Sequence, residues 1–390
     1  MNADTYDIVI LGAGPAGLAA AITLGRHTDL KVLVADAGLP GIDRPGESIP
    51  PAALSCINAL GLSESFSNGQ HFSYPGHVSV WGRNEPGYND ALLDPMGPPF
   101  RLNRLQFDQM LVAALDACPN VTLARGRNYI KHQPDTDTAG YRLLFAEHTT
   151  QKHQQFTARF VIDASGTRAR FARAEGAVRH IDDQMVALIG MQEITEGHLT
   201  AQTLIEAEEN GWWYMARLPE NRLVTLFVTE PPLLKQTGYS DAIRRKQALD
   251  RTLLLSKHLS GIKLQQGNWY HAPVYSSFLE KPYGSRWLAA GDAAACYDPI
   301  AAQGIHKALS LGIRSGKLAA RLFDTGFRDN EAMQAYALHS KEAYRTYFTH
   351  RTQLYHSEQR WPNAPFWQNR QKTGNNSLKT NGVFLGNAYL

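Results

Sequence analysis

The stretch DIVILGAGPAGLAAAITLGRHTDLKVLVAD, residues 7–36, carries the strongest structural signal in the chain. An apolar run leads into Gly12, Gly14 and Gly17, which have the spacing G-x-G-x-x-G, and apolar residues then recur at helical intervals. A second apolar run ends at Asp36. This order of strand, glycine turn, helix and strand is the context in which the glycine spacing binds a dinucleotide.

Each glycine of the turn has its own physical purpose. Gly12 permits a tight turn, Gly14 lets the backbone approach a pyrophosphate, and Gly17 lets the helix pack closely on the strand. The helix N-terminus presents free N–H groups and a partial positive charge to the phosphates, and the terminal acid accepts hydrogen bonds from a ribose. The predicted cofactor contacts are therefore Gly12, Gly14, Pro15, Ala16, Gly17 and Asp36. The fingerprint alone leaves FAD and NAD as alternatives.

A second strand-to-helix entry lies near the other end of the chain. The segment RWLAAGD, residues 286–292, predicts an apolar strand that ends in Gly291-Asp292, and a helix is predicted to begin near Gln303. The amides of Gln303, Gly304 and Ile305 would face the oxygen-bearing edge of a flavin, where a positive helix end stabilises the reduced anion. Asp292 would bind a ribityl hydroxyl, and only a glycine at position 304 allows so close an approach of the backbone.

The composition limits the classes of function. A chain of 390 residues with 43% hydrophobic and 19% charged residues is typical of a packed protein of two or three domains. The net charge of +3, without a long basic run, argues against nucleic acid as the main partner. Three widely spaced cysteines without a C-x-x-C pattern predict neither a disulfide framework nor a zinc site, so no metal is expected.

The N-terminus predicts the cellular location. MNADTYDIVIL lacks the basic start and the small-residue cleavage site of a signal peptide. No stretch of about 18 apolar residues is present, so no membrane span is expected. We expect a cytoplasmic protein.

Five segments together resemble the FAD-binding fold of single-component aromatic hydroxylases and flavin-dependent halogenases. Besides the two glycine turns, residues 44–62 are similar to that family's G-E-S-x-x-P segment and residues 101–111 to its R-x-x-F-D-x-x-L helix. Residues 160–173 take the place of its Asp-Gly segment but have Ala164-Ser165-Gly166 after Asp163, so an NADPH role is not carried over to that acid. The resemblance adds to the predicted FAD contacts Glu47, Ser48, Arg104, Ala164 and Pro299.

The resemblance implies an α/β protein. Its FAD-binding domain is Rossmann-like, of the glutathione-reductase-2 type found in para-hydroxybenzoate hydroxylase, and is expected over residues 1–65, 101–170 and 281–325. A β-sheet-rich substrate domain is expected over residues 66–100 and 171–280, with a C-terminal helical and aromatic region over residues 326–390. RLVTLFVTE, residues 222–230, predicts a strand of the substrate domain, and residues 241–260 predict a helix that covers its sheet. The tail, residues 374–390, is rich in Asn and Gly and is expected to be loosely held.

Two features argue against halogenation. Flavin halogenases hold hypohalous acid with a lysine between the G-E-S segment and the R-x-x-F-D helix, whereas this chain has no lysine between Lys31 and Lys131. Their W-x-W-x-I-P motif is also missing, since Trp212 and Trp213 are adjacent.

A narrower resemblance is to the flavoproteins that mature the tryptophylquinone cofactors of bacterial oxidases. It is carried by residues 79–84, 211–219, 297–309 and 357–367 in combination. It implies a FAD-dependent monooxygenase that hydroxylates a tryptophan of a partner, the precursor of a quinone-cofactor amino-acid or amine oxidase, during formation of cysteine or lysine tryptophylquinone. FAD reduced by NAD(P)H would react with O₂ to a C4a-hydroperoxide, whose distal oxygen an electron-rich indole attacks without a strong base. The alternatives are a hydroxylase of a small aromatic substrate and a flavin-binding assembly factor without turnover.

Several side chains have both a functional and a structural interpretation. Glu47 and Asp298 are the candidate catalytic residues, but each could instead stabilise its own turn. Cys296 is expected to be a small buried hydrophobe. The aromatic residues after position 330 could form a platform for a protein partner or pack in a core. The candidate substrate pocket is lined by His71, Trp81, Trp212 and Trp213, although strand aromatics are mostly core.

Overall fold

The computed structural model describes residues 4–39, 41, 45–91, 94–265 and 267–372. The helices in chain order are α1 Pro15–His27, α2 Ala53–Ala59, α3 Ser63–Ser67, α4 Arg104–Ala113, α5 Arg170–Ala174, α6 Pro231–Thr237, α7 Ala242–Asp250, α8 Leu255–Leu259, α9 Gly304–Asp324, α10 Asn330–Ser357 and α11 Pro365–Lys372.

The strands, again in chain order, are β1 Asp4–Leu11, β2 Val32–Asp36, β3 Ser48–Ile49, β4 Phe72–Ser73, β5 Gly76–Val80, β6 Gly87–Asp90, β7 Phe100–Arg101, β8 Val121–Arg125, β9 Arg127–Asp135, β10 Gly140–Glu147, β11 His153–Asp163, β12 Arg179–Ile181, β13 Val186–Glu196, β14 Thr203–Glu208, β15 Gly211–Leu218, β16 Arg222–Thr229, β17 Lys263–Leu264, β18 Trp269–Pro273, β19 Ser277–Leu279, β20 Tyr283–Gly284, β21 Trp287–Ala289 and β22 Ala295–Cys296.

The internal contacts divide the chain into two compact units. Unit 1 extends up to His71 and also contains Leu102–Ile181 and Ser277–Arg345. Unit 2 contains Phe72–Arg101, Asp182–Ser276 and the residues from Thr346 onward. The described residues of the region expected over residues 326–390 divide between the two units at Arg345, and the predicted loose tail at residues 374–390 lies outside the described residues.

Unit 1 is built on a largely parallel sheet in the order β20-β21-β11-β1-β2-β8, with β10 on β11 and β9 on β10. Ile8 of β1 pairs with Val32 of β2 on one side and with Phe160 of β11 on the other. Residues 8–10 are fully buried, because helices or loops cover both faces of a parallel sheet. The central strands of this sheet all end at one edge, where β1 leads into the glycine turn.

Unit 2 contains an antiparallel sheet in the order β17-β13-β16-β15-β14-β5-β6, with β18 also on β13. The expected strand at residues 222–230 is β16, which pairs with β13 along its whole length and with β15 from Arg222 to Val228. The helix expected over residues 241–260 is two helices, α7 and α8. The second begins where the carboxylate of Glu206 accepts the backbone N–H groups of Leu253 and Leu254 at 2.6 and 2.8 Å, so a cap from a neighbouring strand sets the break.

Candidate functional site

The first glycine turn has two packed glycines and one open glycine. A Cβ on Gly12, whose φ is +107°, would lie 2.5 Å from the carbonyl oxygen of Ala164, and a Cβ on Gly17 would overlap the carbonyl oxygen of Gly12. At Gly14, by contrast, an added Cβ would meet nothing within 4 Å. Gly14 is also the N-cap of α1, which has no side-chain cap, and Pro15 and Ala16 follow in its first turn. The turn therefore presents free helix N–H groups to an open space.

Helices α1 and α9 pack in parallel through small residues. A Cβ on Gly312 would overlap the carbonyl oxygen of Ala16, and a Cβ on Gly316 would lie 2.9 Å from that of Ala20. Gly312 and Gly316 are four residues apart on α9, and they lie against Ala16 and Ala20, which are four residues apart on α1. The two helices therefore run in the same direction, and both N-termini point the same way. Gly304 precedes Gly312 by eight residues, so the start of α9 lies roughly 12 Å beyond the level of Ala16 at 1.5 Å per residue. Two positive helix ends are thus staggered along one direction.

The second glycine turn ends in the same kind of open position. Gly291 adopts a φ of +61°, and its Cβ would lie 2.6 Å from the Cβ of Ala16, so this glycine is needed for packing. Gln303 is the N-cap of α9 without a side-chain cap, while Gly304 is exposed and an added Cβ there would meet nothing within 4 Å. Ile305 is buried in the same turn. The backbone at Gly304 is therefore accessible to a flat ligand.

The side chain of Asp298 fixes the loop that leads into α9. It is buried, and its Oδ1 accepts the backbone N–H of Ile300 at 3.0 Å, which caps the short helical turn Pro299–Ala301. Asp298 therefore stabilises its own turn, which is the structural alternative to a catalytic role. Pro299, the next residue, is partly exposed at the surface of the loop. We therefore assign Asp298 to the architecture of the turn.

Asp36 and Arg104 are tied to neighbouring turns. Asp36 accepts the backbone N–H groups of Ala13 at 3.1 Å and Gly38 at 3.2 Å, so its carboxylate lies at the rim of the first glycine turn. Arg104 begins α4, pairs with Asp108 at 3.0 Å and donates to the carbonyl oxygens of Pro45 and Gly46. The guanidinium of Arg104 thus holds the backbone of the G-E-S turn in place.

Glu47 is buried within the G-E-S turn, with Ser48 beside it at the start of β3. Its Oε2 accepts the N–H of Gly46 at 3.0 Å, and its own carbonyl oxygen accepts the N–H of Leu102 at 2.7 Å. These contacts fix the conformation of the turn. They are compatible with both an orienting and a proton-relay role for the carboxylate.

Asp163 is a helix cap. The carboxylate is fully buried and accepts backbone N–H groups from Ser165, Phe171 and Ala172 at 3.0, 3.0 and 2.8 Å. Burial raises its pKa, and the backbone hydrogen bonds oppose that rise. Ala164 then faces Gly12, so this segment completes the wall behind the first glycine turn.

Two cations of the second turn were missed from the sequence. Lys307, in the first turns of α9, is buried and bonds to Asp292 Oδ1 at 2.5 Å. Arg179 of β12 donates to the carbonyl oxygens of Asp292 and Ala293 at 3.0 and 2.6 Å. A lysine near a helix N-terminus is electrostatically unfavourable, and that position was the available signal for Lys307. No comparable signal in the sequence marked Arg179, because only the tertiary fold brings it into contact with Asp292 and Ala293.

The expectation that Trp212 and Trp213 line a substrate pocket is not supported by their positions in unit 2. Both indoles are fully buried. The Nε1–H of Trp212 donates to the hydroxyl of Tyr355 and that of Trp213 to Glu208, both at 2.9 Å. Because adjacent strand residues point to opposite faces, the two rings belong to the packing on the two sides of β15.

Trp81 is half-buried in the same unit and belongs to an aromatic cluster. Its ring centroid lies 6.4 Å from that of Trp212, 5.9 Å from Tyr355 and 5.3 Å from Trp367, and its Nε1–H donates to the carbonyl oxygen of Leu354 at 2.9 Å. The C-terminal aromatics Tyr355, Phe366 and Trp367 are buried in this cluster. They act as core of unit 2 and do not form an exposed platform.

His71 belongs to unit 1 and is engaged there. Its Nδ1 accepts the backbone N–H of Asn103 at 3.1 Å, and its ring lies 4.7 Å from that of Phe66. Burial lowers the pKa of His71 to about 4. The imidazole is therefore neutral at physiological pH, and the structure places it beside the N-terminus of α4.

Cys296 is a buried thiol within the second turn, as expected. Its Sγ lies 3.2 Å from the carbonyl oxygen of Asp292, and burial raises its pKa. Among the described residues, no cluster of three or more His, Cys, Asp or Glu side chains could hold a metal ion. In that same part of the chain, no helix is long and apolar enough to cross a membrane.

The geometry is that of a site for an elongated cofactor. A family model for the FAD binding domain matches residues 5–345. The chain belongs to this family. As a member it is a flavoprotein, a FAD-dependent enzyme of the oxidoreductase type, and its Rossmann-like α/β fold is confirmed.

Individual relatives extend the likeness over nearly the whole chain. It is 26% identical to a putative FAD-dependent oxidoreductase, LodB, of Marinomonas mediterranea, over 94% of this chain and 97% of that protein. The solved structure of the myxobacterial chondrochloren halogenase CndH superposes with a TM-score of 0.83 at 21% identity, covering 94% of this chain and 86% of that one. The peptidyl tryptophan dihydroxylase QhpG, essential for tryptophylquinone cofactor biogenesis, superposes with a TM-score of 0.71 at 21% identity, covering 94% and 79%.

The residues of unit 1 fit the family's cofactor. At Gly14 and Gly304 an added Cβ would meet nothing within 4 Å, and each glycine lies at a helix start without a capping side chain. The packing of α1 on α9 points both helix starts the same way, with the start of α9 staggered by roughly 12 Å from the level of Ala16. The site can hold an anionic pyrophosphate at α1 and a ring that gains negative charge at α9.

Proposed function

We propose that this flavoprotein is a monooxygenase that hydroxylates a tryptophan of a partner protein, the precursor of an amino-acid or amine oxidase with a tryptophylquinone cofactor. The observation that supports it most is the likeness to LodB over almost the full length of both chains. The structural likeness to a peptidyl tryptophan dihydroxylase adds to it. The lack of a lysine between Lys31 and Lys131 favours oxygen insertion over halogenation.

The proposed FAD contacts follow from unit 1. The N–H groups at Gly14 and the first turn of α1 would bind the pyrophosphate, and Asp36 would accept a ribose hydroxyl. Asp292 would accept a ribityl hydroxyl, and the backbone at Gly304 would contact the ring. When bound, FAD would take two electrons from NAD(P)H and activate O₂, so that one oxygen atom enters the indole and the other leaves as water.

The chain's own side chains would bind and orient more than they would transfer protons. Glu47 and Asp298 are both held by backbone N–H groups of their own turns, and the neutral His71 accepts one as well. An indole is electron-rich and reacts without prior deprotonation, so no strong base is required. We propose Glu47 as an orienting residue of the G-E-S turn. A Glu47→Gln variant is then expected to keep most of its activity without a new pH dependence.

We propose that the phosphates of NAD(P)H bind a basic pocket of unit 1. The pocket encloses about 540 Å³, and Lys131, Arg168, Arg170 and Arg173 line it. Arg170 is held by the side chain of Asn128 at 2.5 Å. The other three cations make no ion pair with any described residue. Four cations around one concave surface suit a phosphorylated ligand.

Charge reversal tests the pocket. An Arg168→Glu/Arg173→Glu variant is expected to raise KM for NAD(P)H tenfold or more, while the FAD content of the purified protein stays the same. Lys152→Glu, an exposed position outside the lining residues, is the matched control. An unchanged KM in the double variant would remove the pocket from the proposal.

Co-expression with the oxidase precursor tests the proposed function itself. The tryptophan-bearing peptide is expected to gain the mass of one oxygen atom for each insertion, and the label must come from ¹⁸O₂. A Gly304→Trp variant serves as the flavin-free control. An unmodified precursor, combined with rapid NAD(P)H oxidation on addition of a free indole or phenol, would favour a small aromatic substrate instead. Full maturation with a protein that cannot be reduced would favour an assembly factor.

A further inference from the structure

A buried lysine contacts the second glycine turn. Lys307 lies in α9, three residues after Gly304, and is 7% exposed. Its Nζ donates to Asp292 Oδ1 at 2.5 Å and to the carbonyl oxygen of Ala295, and lies 4.4 Å from the centroid of the Tyr297 ring. A lysine is seldom buried without partners, and here an anion, a carbonyl dipole and an aromatic face surround the ammonium.

The position of this lysine is costly on its own. The N-terminus of a helix is the end that favours negative charge, and Lys307 brings a positive one. Since leucine or alanine would fill an apolar position there without a charge, the pairing with Asp292 is the interaction that makes a lysine acceptable. The ammonium and the carboxylate therefore act as one unit within the turn.

The other half of the pair is open to a ligand. The side chain of Asp292 is 44% exposed, whereas that of Lys307 is 6% exposed. Lys307 occupies Oδ1, and Oδ2 has no hydrogen-bond partner among the described residues. The backbone of this segment is fixed independently, because Arg179 holds the carbonyl oxygens of Asp292 and Ala293. The carboxylate is thus held at one oxygen and presents the other.

We propose that Lys307 is a positioning residue of the flavin site, which directs Asp292 Oδ2 to a hydroxyl of the FAD ribityl chain and neutralises the carboxylate next to the reduced flavin. Without the ammonium, Asp292 would have no fixed rotamer, and its negative charge would oppose the charge that the flavin gains on reduction. This inference rests on the proposed FAD contacts of Asp292 and Gly304. It does not depend on the substrate.

The test uses the purified holoprotein and two observables, the Kd for oxidised FAD and the two-electron reduction potential of bound FAD. In Lys307→Met, we expect weaker binding of oxidised FAD and a tenfold greater loss of affinity for reduced than for oxidised FAD. A tenfold ratio corresponds to a potential lowered by about 30 mV for a two-electron couple. Lys307→Arg, which keeps the charge, is expected to stay near the wild-type potential.

The sign of the shift separates an electrostatic role from loosened packing. Asp292→Asn removes the carboxylate and leaves the ammonium, so it is expected to raise the potential while weakening FAD binding. A merely structural role would move both variants in the same direction. Shifts of the same sign in the two variants, or a Lys307→Met protein with wild-type Kd and potential, would overturn the inference.

A double variant covers the case in which Lys307→Met does not fold. Asp292→Asn/Lys307→Met removes both charges together, and its potential is expected to fall below that of Asp292→Asn alone. Equal potentials in those two proteins would contradict the role of Lys307. A wild-type protein that binds FAD but leaves the tryptophan unmodified overturns the proposed substrate only, whereas a wild-type protein that binds no FAD overturns the flavin site and this inference together.

Discussion

The helix starts in unit 1 and the aromatic cluster in unit 2 use space in opposite ways. At Gly14 and Gly304 the smallest residue leaves an opening beside a helix end. Around Trp81, large rings fill the available space, with centroids 5.3–6.4 Å apart. Both regions looked functional in the sequence. A glycine at a helix start has a purpose that the local backbone already defines, whereas the purpose of a tryptophan depends on which distant residues surround it.

The largest effect is expected where an opening is filled. Gly304→Trp would place an indole in the open space beside Gly304, where an added Cβ meets no other atom within 4 Å. The protein is therefore expected to fold but to lose FAD, with a Kd for FAD raised at least 100-fold. Lys317→Trp, at an exposed position of the same helix, is the control and should purify with its flavin. Flavin absorbance of the purified proteins measures this, and a yellow Gly304→Trp protein would contradict the assignment of the opening.

The converse experiment empties the filled region. Trp212→Ala removes a fully buried indole and its hydrogen bond to Tyr355, and roughly 3–5 kcal/mol of stability is expected to be lost. Thermal unfolding measures the loss, with Tyr88→Ala, at a ring that is 74% exposed, as the control. A Trp212→Ala protein of unchanged stability that fails to bind its aromatic substrate would restore the pocket interpretation.

A packed glycine should behave like the aromatic core and unlike the open glycines. Gly312→Ala puts a methyl group against the backbone of Ala16, so roughly 1–3 kcal/mol is expected to be lost as α9 moves away from α1. FAD binding should weaken in parallel, since the relative position of the two helix ends changes. Gly14→Ala, where a Cβ meets nothing, should weaken FAD binding with little change in unfolding temperature. Equal stability losses in the two variants would remove the distinction.

The smallest effect concerns pH. Burial raises the pKa of Glu208 to about 7 from an ordinary value of 4.5, and its Oε1 is buried without a hydrogen bond among the described residues. Between pH 4.5 and 7 the folded state therefore holds more protons than the unfolded state, and stability falls as pH rises through that window. Because the surroundings of a buried carboxylate relax when it ionises, the expected loss in the free energy of unfolding is roughly 1–2 kcal/mol.

Glu208→Gln should flatten this dependence and leave stability at pH 8 above that of the wild type. Exposed Glu209→Gln is the control. Urea unfolding at several pH values measures both variants. A slope that survives in Glu208→Gln would assign the pH dependence to another group.

Much of the fold was predictable from local patterns. The first βαβ unit, the second strand-to-helix entry and the strand at residues 222–230 appear where the sequence predicts them, because apolar periodicity and glycine spacing act over a few residues. The helix expected over residues 241–260 was wrong as a single element. Its break is set by Glu206, which lies 47 residues before Leu253 in the chain.

By itself, the sequence determined that a dinucleotide-binding turn lies near the start of the chain and that a second glycine turn, at Gly291-Asp292, precedes another helix. The sequence reveals those features because they require backbone conformations or close approaches that glycine allows and other residues do not. Only the tertiary structure decided that Gly14 and Gly304 face open space while Gly12, Gly17 and Gly312 pack, and that Lys307 forms an ion pair with Asp292. Only it assigned the tryptophans of unit 2 to a core. Burial and charge pairing depend on neighbours that the fold brings together from distant parts of the chain.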